Sequence, residues 1–300
     1  VIVPTLSPPD LSLTPVRSWL ADQIRSRVVG EQPEDKIAAI IDAPGPRWFA
    51  DDAVIKRVHA DASMFVGGLR ALLFQSLHPL AMAGVAQHSD YRTDPWGRLQ
   101  RTADFLAATT YGPADVAEQA VARVRAVHLR VTGTASDGRP YAANDPHLLR
   151  WVHVAELDSF LTSYRRYGAE PLSDADADAY VADMAVVAEA LGVTHPPRST
   201  RELRAEIADF RAELAGTDEA REAARFLIVS PPLPAVARAP YLALASAAVA
   251  MLPMWARWPL RLPWLPVSER LIARPIGAAA TQLIRWSLTP GSYAEREAAG

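Results

Sequence analysis

The 300-residue chain has no cysteine, which excludes disulfides, thiolate zinc sites, iron–sulfur clusters, covalently attached CxxCH haem and thiolate-ligated haem together. Any metal must therefore hang on histidine or carboxylate. Lysine is nearly missing as well: Lys36 and Lys56 stand against 29 arginines, a skew that fits an Ala- and Arg-favouring, GC-rich coding sequence. The net charge of −3 argues against a basic nucleic-acid-binding face. Long Val/Ile runs and period-two alternation are lacking, so an α/β fold is not expected. No Glu-x-x-His occurs, and a ferritin-like di-iron site loses its signature. The opening VIVPTLSPPDLSL carries no basic segment before a sustained apolar core, so it does not read as a signal peptide.

What is there reads as an all-α, multi-helical single domain. Apolar residues recur at three and four, and capping residues precede the runs. Ser199-x-x-Glu202 is a capping box ahead of a helix at 201–215, and Gly192 stops the helix that begins near Ser173. Proline clusters at 4–15, 196–197 and 231–234 punctuate the chain without a flexible linker, and neither repeats nor low-complexity segments occur. The simplest division is an extension with first helices (1–50), a helical core (51–230) and a Pro/Trp-rich C-terminal subregion packed on it (231–300). The most apolar stretch, 239–256, nears the ~18–20 residues of a membrane span, but Pro240 and Pro253 lie inside its ends. A buried or surface-lying helix is expected there. The following MLPMWARWPLRLPW combines three tryptophans with Arg257 and Arg261, as at lipid interfaces; packing of these tryptophans on the helical body is the plainer reading.

The histidines carry the chemistry. His59 and His195 sit in polar or Pro-rich surroundings and read as surface residues. His78 closes an apolar run before Pro79, where a structural role at a helix end competes with ligation. His88, with Asp90 and Asp94, reads first as turn chemistry and second as a metal site. In DVAEQAVARVRAVHLRVT, Val121, Val124, His128 and Val131 share one helical face, which turns His128 inward. A lone histidine on an apolar face is usually a hydrogen-bonded core residue. Arg125, one turn earlier, strengthens ligation, because an inward guanidinium wants a buried anion such as a haem propionate. Arg98, Arg101 and Thr102 stack along one helix edge, either as a solvated basic edge or as donors for an anion or oxygen. His147 precedes His153 on the next helix, and Glu156 follows His153 by one turn.

Taken in order, GGLRALLFQSLHPLAMAGVAQHS, DPWGRLQRTADFLAATTYG, VRAVHLRVTG and YAANDPHLLRWVHVAELDSFL resemble the bacterial and fungal family of latex-clearing rubber oxygenases and MpaB-type oxygenases. The resemblance is strong over 67–167 and weaker through 173–192. It implies a helical protein with a globin-like core that binds haem b iron noncovalently, and a haem-dependent oxygenase, hence an oxidoreductase. Arg125 and His128 match the family's Arg-x-x-His, making His128 the proximal metal ligand, with Arg125 and His153 also cofactor-binding. Arg98, Arg101 and Thr102 match Arg-x-x-Lys-Thr as catalytic residues, with arginine replacing lysine; an arginine stays protonated and cannot ligate iron. The distal glutamate of the rubber oxygenases has no counterpart in 69–87, which leaves His78 and His88 as candidates there.

The implied partners are O2 and a small hydrophobic, isoprenoid-like olefin, without nucleic acid. A non-catalytic haem- or lipid-binding helical protein is the alternative. A cytoplasmic location is expected, with peripheral membrane contact through 239–264 left open.

Overall fold

A computed structural model describes residues 14–30 and 40–289. The prolines before residue 14, the signal-peptide question and Lys36 lie outside the described residues. The chain is mostly helical: α1 (Thr14–Val28), α2 (Val54–His59), α3 (Ser63–Gln75), α4 (Pro79–His88), α5 (Pro95–Tyr111) and α6 (Ala114–His128) precede a two-stranded hairpin. After it come α7 (Pro146–Tyr167), α8 (Asp174–Leu191), α9 (Thr200–Phe210), α10 (Asp218–Val229), α11 (Ala235–Met251), α12 (Met254–Arg257) and α13 (Arg274–Leu288). The hairpin pairs β1 (Thr132–Thr134) with β2 (Pro140–Ala142) antiparallel, Gly133 opposite Tyr141. Three-residue strands are too short to show alternation; the Asp137-Gly138 turn was their visible signal.

Helix α7 is the axis of the molecule. It packs along α3 and also meets α8 and α9. The α3–α7 approach requires glycine at 67, where a Cβ would stand 2.9 Å from the Phe160 ring and 3.3 Å from its backbone. Trp151, Leu157, Tyr164 and Tyr180 are fully enclosed in the resulting core with Phe74 and Ile55. Helices α5 and α6 pair, α6 reaches α8, and α2 lies on α8. These contacts leave a cleft among α5, α6, α7 and α8.

The caps explain several boundaries. Ser173 and Asp176 form a reciprocal capping box at the start of α8, and Gly192 ends that helix in the left-handed region at φ +107°. Ser199 caps α9 through the Glu202 N–H, but the Glu202 carboxylate accepts from Arg198. Helix α9 stops at Phe210, short of residue 215, because the Ala215 N–H is drawn to the Leu77 carbonyl at 2.8 Å.

In the C-terminal subregion, α11 packs on α3 and α13 through Ala247 and Ala248. Among the described residues no helix is long and apolar enough to cross a membrane. The three tryptophans divide: Trp255 stacks near Phe74 at 5.6 Å, while Trp258 is 83% exposed and Trp264 is exposed too. Packing on the body thus holds for Trp255 alone. Arg257 is buried, bonding the Leu252 and Ala250 carbonyls and Glu269 at 2.5 Å, so it braces the fold and faces no lipid.

Candidate active site

The cleft encloses about 550 Å³ of atom-free space, its open mouth included. Phe105 and Leu106 from α5, Val152 from α7, and Met184, Val187 and Leu191 from α8 make its walls apolar and narrow. Five polar side chains line this apolar setting: Thr109, which donates its hydroxyl back to the Phe105 carbonyl at 2.9 Å, and His59, His128, His153 and Glu156. Each reaches the cleft from a different local cause.

His59 ends α2, and both of its ring nitrogens are taken. Nδ1 lies 2.8 Å from Thr110 Oγ1 and Nε2 3.0 Å from Tyr180 OH, so a neutral ring donates at one nitrogen and accepts at the other. Burial pushes its pKa down to about 3. The surface reading of His59 is therefore corrected: it ties α2, α5 and α8 together at the cleft. His195 is exposed as expected.

His128 sits in the last turn of α6, where the 121/124/128 stripe turns it toward the cleft. Its Nδ1 is buried and has no hydrogen-bond partner, and burial lowers its pKa. His153 faces it from α7, itself buried, with Nε2 likewise buried and unpartnered. Desolvation pulls the His153 pKa down to about 4. Both imidazoles are neutral near pH 7, the form that a metal accepts. Glu156, one turn beyond His153, has its carboxyl pushed up to about 7 by burial. It can hold or release a proton near neutrality.

The other expected residues lie elsewhere. Arg125 does not turn inward; it is exposed and donates to the Ala190 carbonyl at 3.2 Å, at the C-terminal end of α8. Arg101 is exposed and pairs with Asp94 at 3.3 Å. Thr102 is exposed and donates to the Arg98 carbonyl at 3.0 Å. Arg98 is half-buried, and burial followed by the neighbouring Arg101 draws its guanidinium below the ordinary value against an opposing pull from Tyr91. None of these lines the cleft, although 98, 102, 105 and 109 share one face of α5 that leads into it.

Neither His78 nor His88 lines the cleft. His88 is exposed at the end of α4, 3.1 Å from the Thr132 carbonyl, and His78 belongs to a separate cluster with His147 and Glu213. The carboxyl of the cleft is Glu156. Its i, i+3 spacing from His153 was visible in the sequence, whereas nothing near His59 announced Thr110 or Tyr180.

Residues 56–286 match the family model described as "ER-bound oxygenase mpaB/B'/Rubber oxygenase, catalytic domain". The matched span includes every wall of the cleft. No curated protein and no solved structure matches the chain.

Proposed function

The chain belongs to the MpaB and rubber oxygenase catalytic-domain family, a family of oxygenases and hence of oxidoreductases, and from that premise we propose a haem-b oxygenase acting on a hydrophobic, isoprenoid-like olefin. The observation that carries the reading is the pair of buried, unpartnered imidazole nitrogens, His128 Nδ1 and His153 Nε2, in one apolar cleft. Without a ligand, each such nitrogen costs about 1–3 kcal/mol. The donor set fits haem b: neutral imidazole is available for iron, and thiolate is absent from the chain. The globin-like arrangement of the core belongs to this proposal.

In this reading His128 holds the iron and His153 contacts the cofactor from α7. When bound, haem supplies one-electron and O2 chemistry. Glu156 holds or moves a proton at its carboxyl, the task left open by the acid-free stretch 69–87. The apolar walls exclude water and receive the hydrocarbon substrate. The cleft is narrow, so a planar macrocycle requires its walls to part. Arg98, on the α5 face that leads into the cleft, would offer positive charge to a propionate, with Arg101 and Thr102 beside it and Arg125 bracing the end of α8.

Absorbance spectra of the hemin-reconstituted protein, then with dithionite and CO, test this directly. A Soret band that moves on CO binding and is lost or displaced in His128→Ala is expected. Folded His128→Ala with an unchanged Soret band, or native protein that gains none, would overturn the assignment.

The alternative, a haem or lipid carrier without turnover, draws on the C-terminal surface. Val267, Leu271 and Ile272 are exposed alongside Trp258, Trp264 and Leu265, and Arg261 and Arg270 accompany them. Exposed apolar runs of this kind mark interaction sites. Membrane contact is accordingly proposed for 254–276 in place of 239–264, since α11 buries its alanines against α3 and α13. Oxygen uptake with a polyprenyl substrate separates the readings: haem bound without product favours the carrier.

A further inference from the structure

We infer that His78, His147 and Glu213 form a second site, outside the cleft, for a divalent cation of the zinc class. Three separate stretches of chain converge there. His78 stands at the N-cap of α4, its backbone held extended before Pro79. His147 lies in the first turn of α7, its N–H donated to Asp145 Oδ1 at 2.9 Å. Glu213 follows α9 in the strap that the Ala215 N–H to Leu77 carbonyl bond pins beside His78. Phe210 stacks on His147 at 4.7 Å and meets the His78 ring at 6.3 Å, which limits how either ring can turn.

His147 Nε2 lies 2.8 and 3.0 Å from the two Glu213 oxygens. A histidine–carboxylate hydrogen bond accounts for that pair alone. It does not account for His78, which is 1% exposed, directs Nε2 to within 3.4 Å of Glu213 Oε2, and has no hydrogen-bond partner on either nitrogen. A cation replacing the His147 Nε2 proton would take one ligand atom from each of the three residues, with the His78 ring proton left on Nδ1.

Tetrahedral zinc with bonds of roughly 2.0–2.1 Å holds its ligand atoms about 3.3 Å apart. The observed separations bracket that value, and one ligand atom from each residue lies within 4.8 Å of the others. Two imidazoles and a carboxylate suit zinc-class ions, whereas magnesium and calcium want oxygen throughout. His147 and Glu213 are 50% and 41% exposed, so the fourth position opens to water. Arg139 opposes a proton on His78 and attracts the Glu213 carboxylate, but its guanidinium is paired with Asp137 at 2.7 Å. The ion would clamp the starts of α4 and α7 to the α9–α10 strap.

Calorimetric titration of EDTA-treated, purified full-length protein with Zn2+ tests the site. One saturable event is expected, resistant to excess Mg2+, weakened at least about tenfold in His147→Ala and in Glu213→Gln, and kept in His128→Ala. Zinc should also raise the melting temperature of the native chain and not of those two site variants. His147→Ala removes a half-exposed side chain, and Glu213→Gln preserves the shape of the strap, so circular dichroism should show both folded. No saturable binding, binding indifferent to both variants, or binding lost in His128→Ala would each overturn the site.

Discussion

Helix α7 presents buried polar groups on two sides, and the two sides are treated oppositely. Toward α3, Arg70 is 3% exposed and fully engaged: it reaches Asp158 at 2.7 Å, Ser159 at 2.6 Å and the Met251 carbonyl at 3.2 Å, and lies over the Phe74 ring. Toward the cleft, His153 and Glu156 lie a few residues earlier on the same helix, with His153 Nε2 unpartnered and both groups shifted by burial alone. The paired side holds helices together. The unpaired side keeps its donors free at a cost in stability, as functional sites do.

That contrast can be broken by mutation, and Arg70→Ala should have the largest effect. It strands Asp158 beside the core and should cost roughly 3–5 kcal/mol. Urea unfolding measures this, and a loss under about 1 kcal/mol would erase the distinction between the two sides.

Glu156→Gln comes next, and its effect depends on pH. The carboxyl titrates at 4.5 when unfolded and at about 7 when folded, so the folded chain binds the extra proton between those values. The native protein therefore loses stability as pH rises from 4.5 through 7, by up to roughly 3 kcal/mol, and the glutamine variant does not. Urea melts at pH 5 and pH 8 should show the variant gaining on the native chain at the higher pH; a pH-independent gap would sink the idea. The same substitution should alter the pH profile of turnover.

His153→Leu carries the opposite sign. His153 is neutral when folded, with its pKa down to about 4 from 6.5, so its contribution is intact above 6.5 and lost as pH falls through 4. The variant should resist acid better than the native chain. Melts at pH 7 and pH 4 compare them, and equal acid sensitivity would refute the burial of a neutral imidazole. The smallest effect is expected for Arg165→Ala, whose pairing with fully exposed Asp174 is solvated, and which should leave the unfolding midpoint unchanged.

Legibility followed physical range. Caps and stops are local, so Gly192 and Ser199 could be placed from neighbouring residues, while Asp94, read as turn chemistry, caps α5 through the Gly97 N–H. The inward direction of His128 followed from its apolar stripe. Arg125 shares that side of α6, yet its long side chain turns back to a carbonyl at the end of α8, an acceptor 65 positions away. His59 was misread because its sequence neighbours Lys56 and Arg57 are charged, while its partners come from α5 and α8. The tryptophans of 255–264 look alike in sequence; only Trp255 has a groove beside Phe74 to enter.

By itself the sequence determined the helical class, the thiolate-free chemistry and the family pattern, because composition, helical periodicity and ordered motifs are properties of the chain. Only the tertiary structure decided that His128, His153 and Glu156 share one apolar cleft and that His78 meets His147 and Glu213. Whether a polar side chain is paired, and how far burial shifts it, depends on what distant segments bring to it when the helices pack.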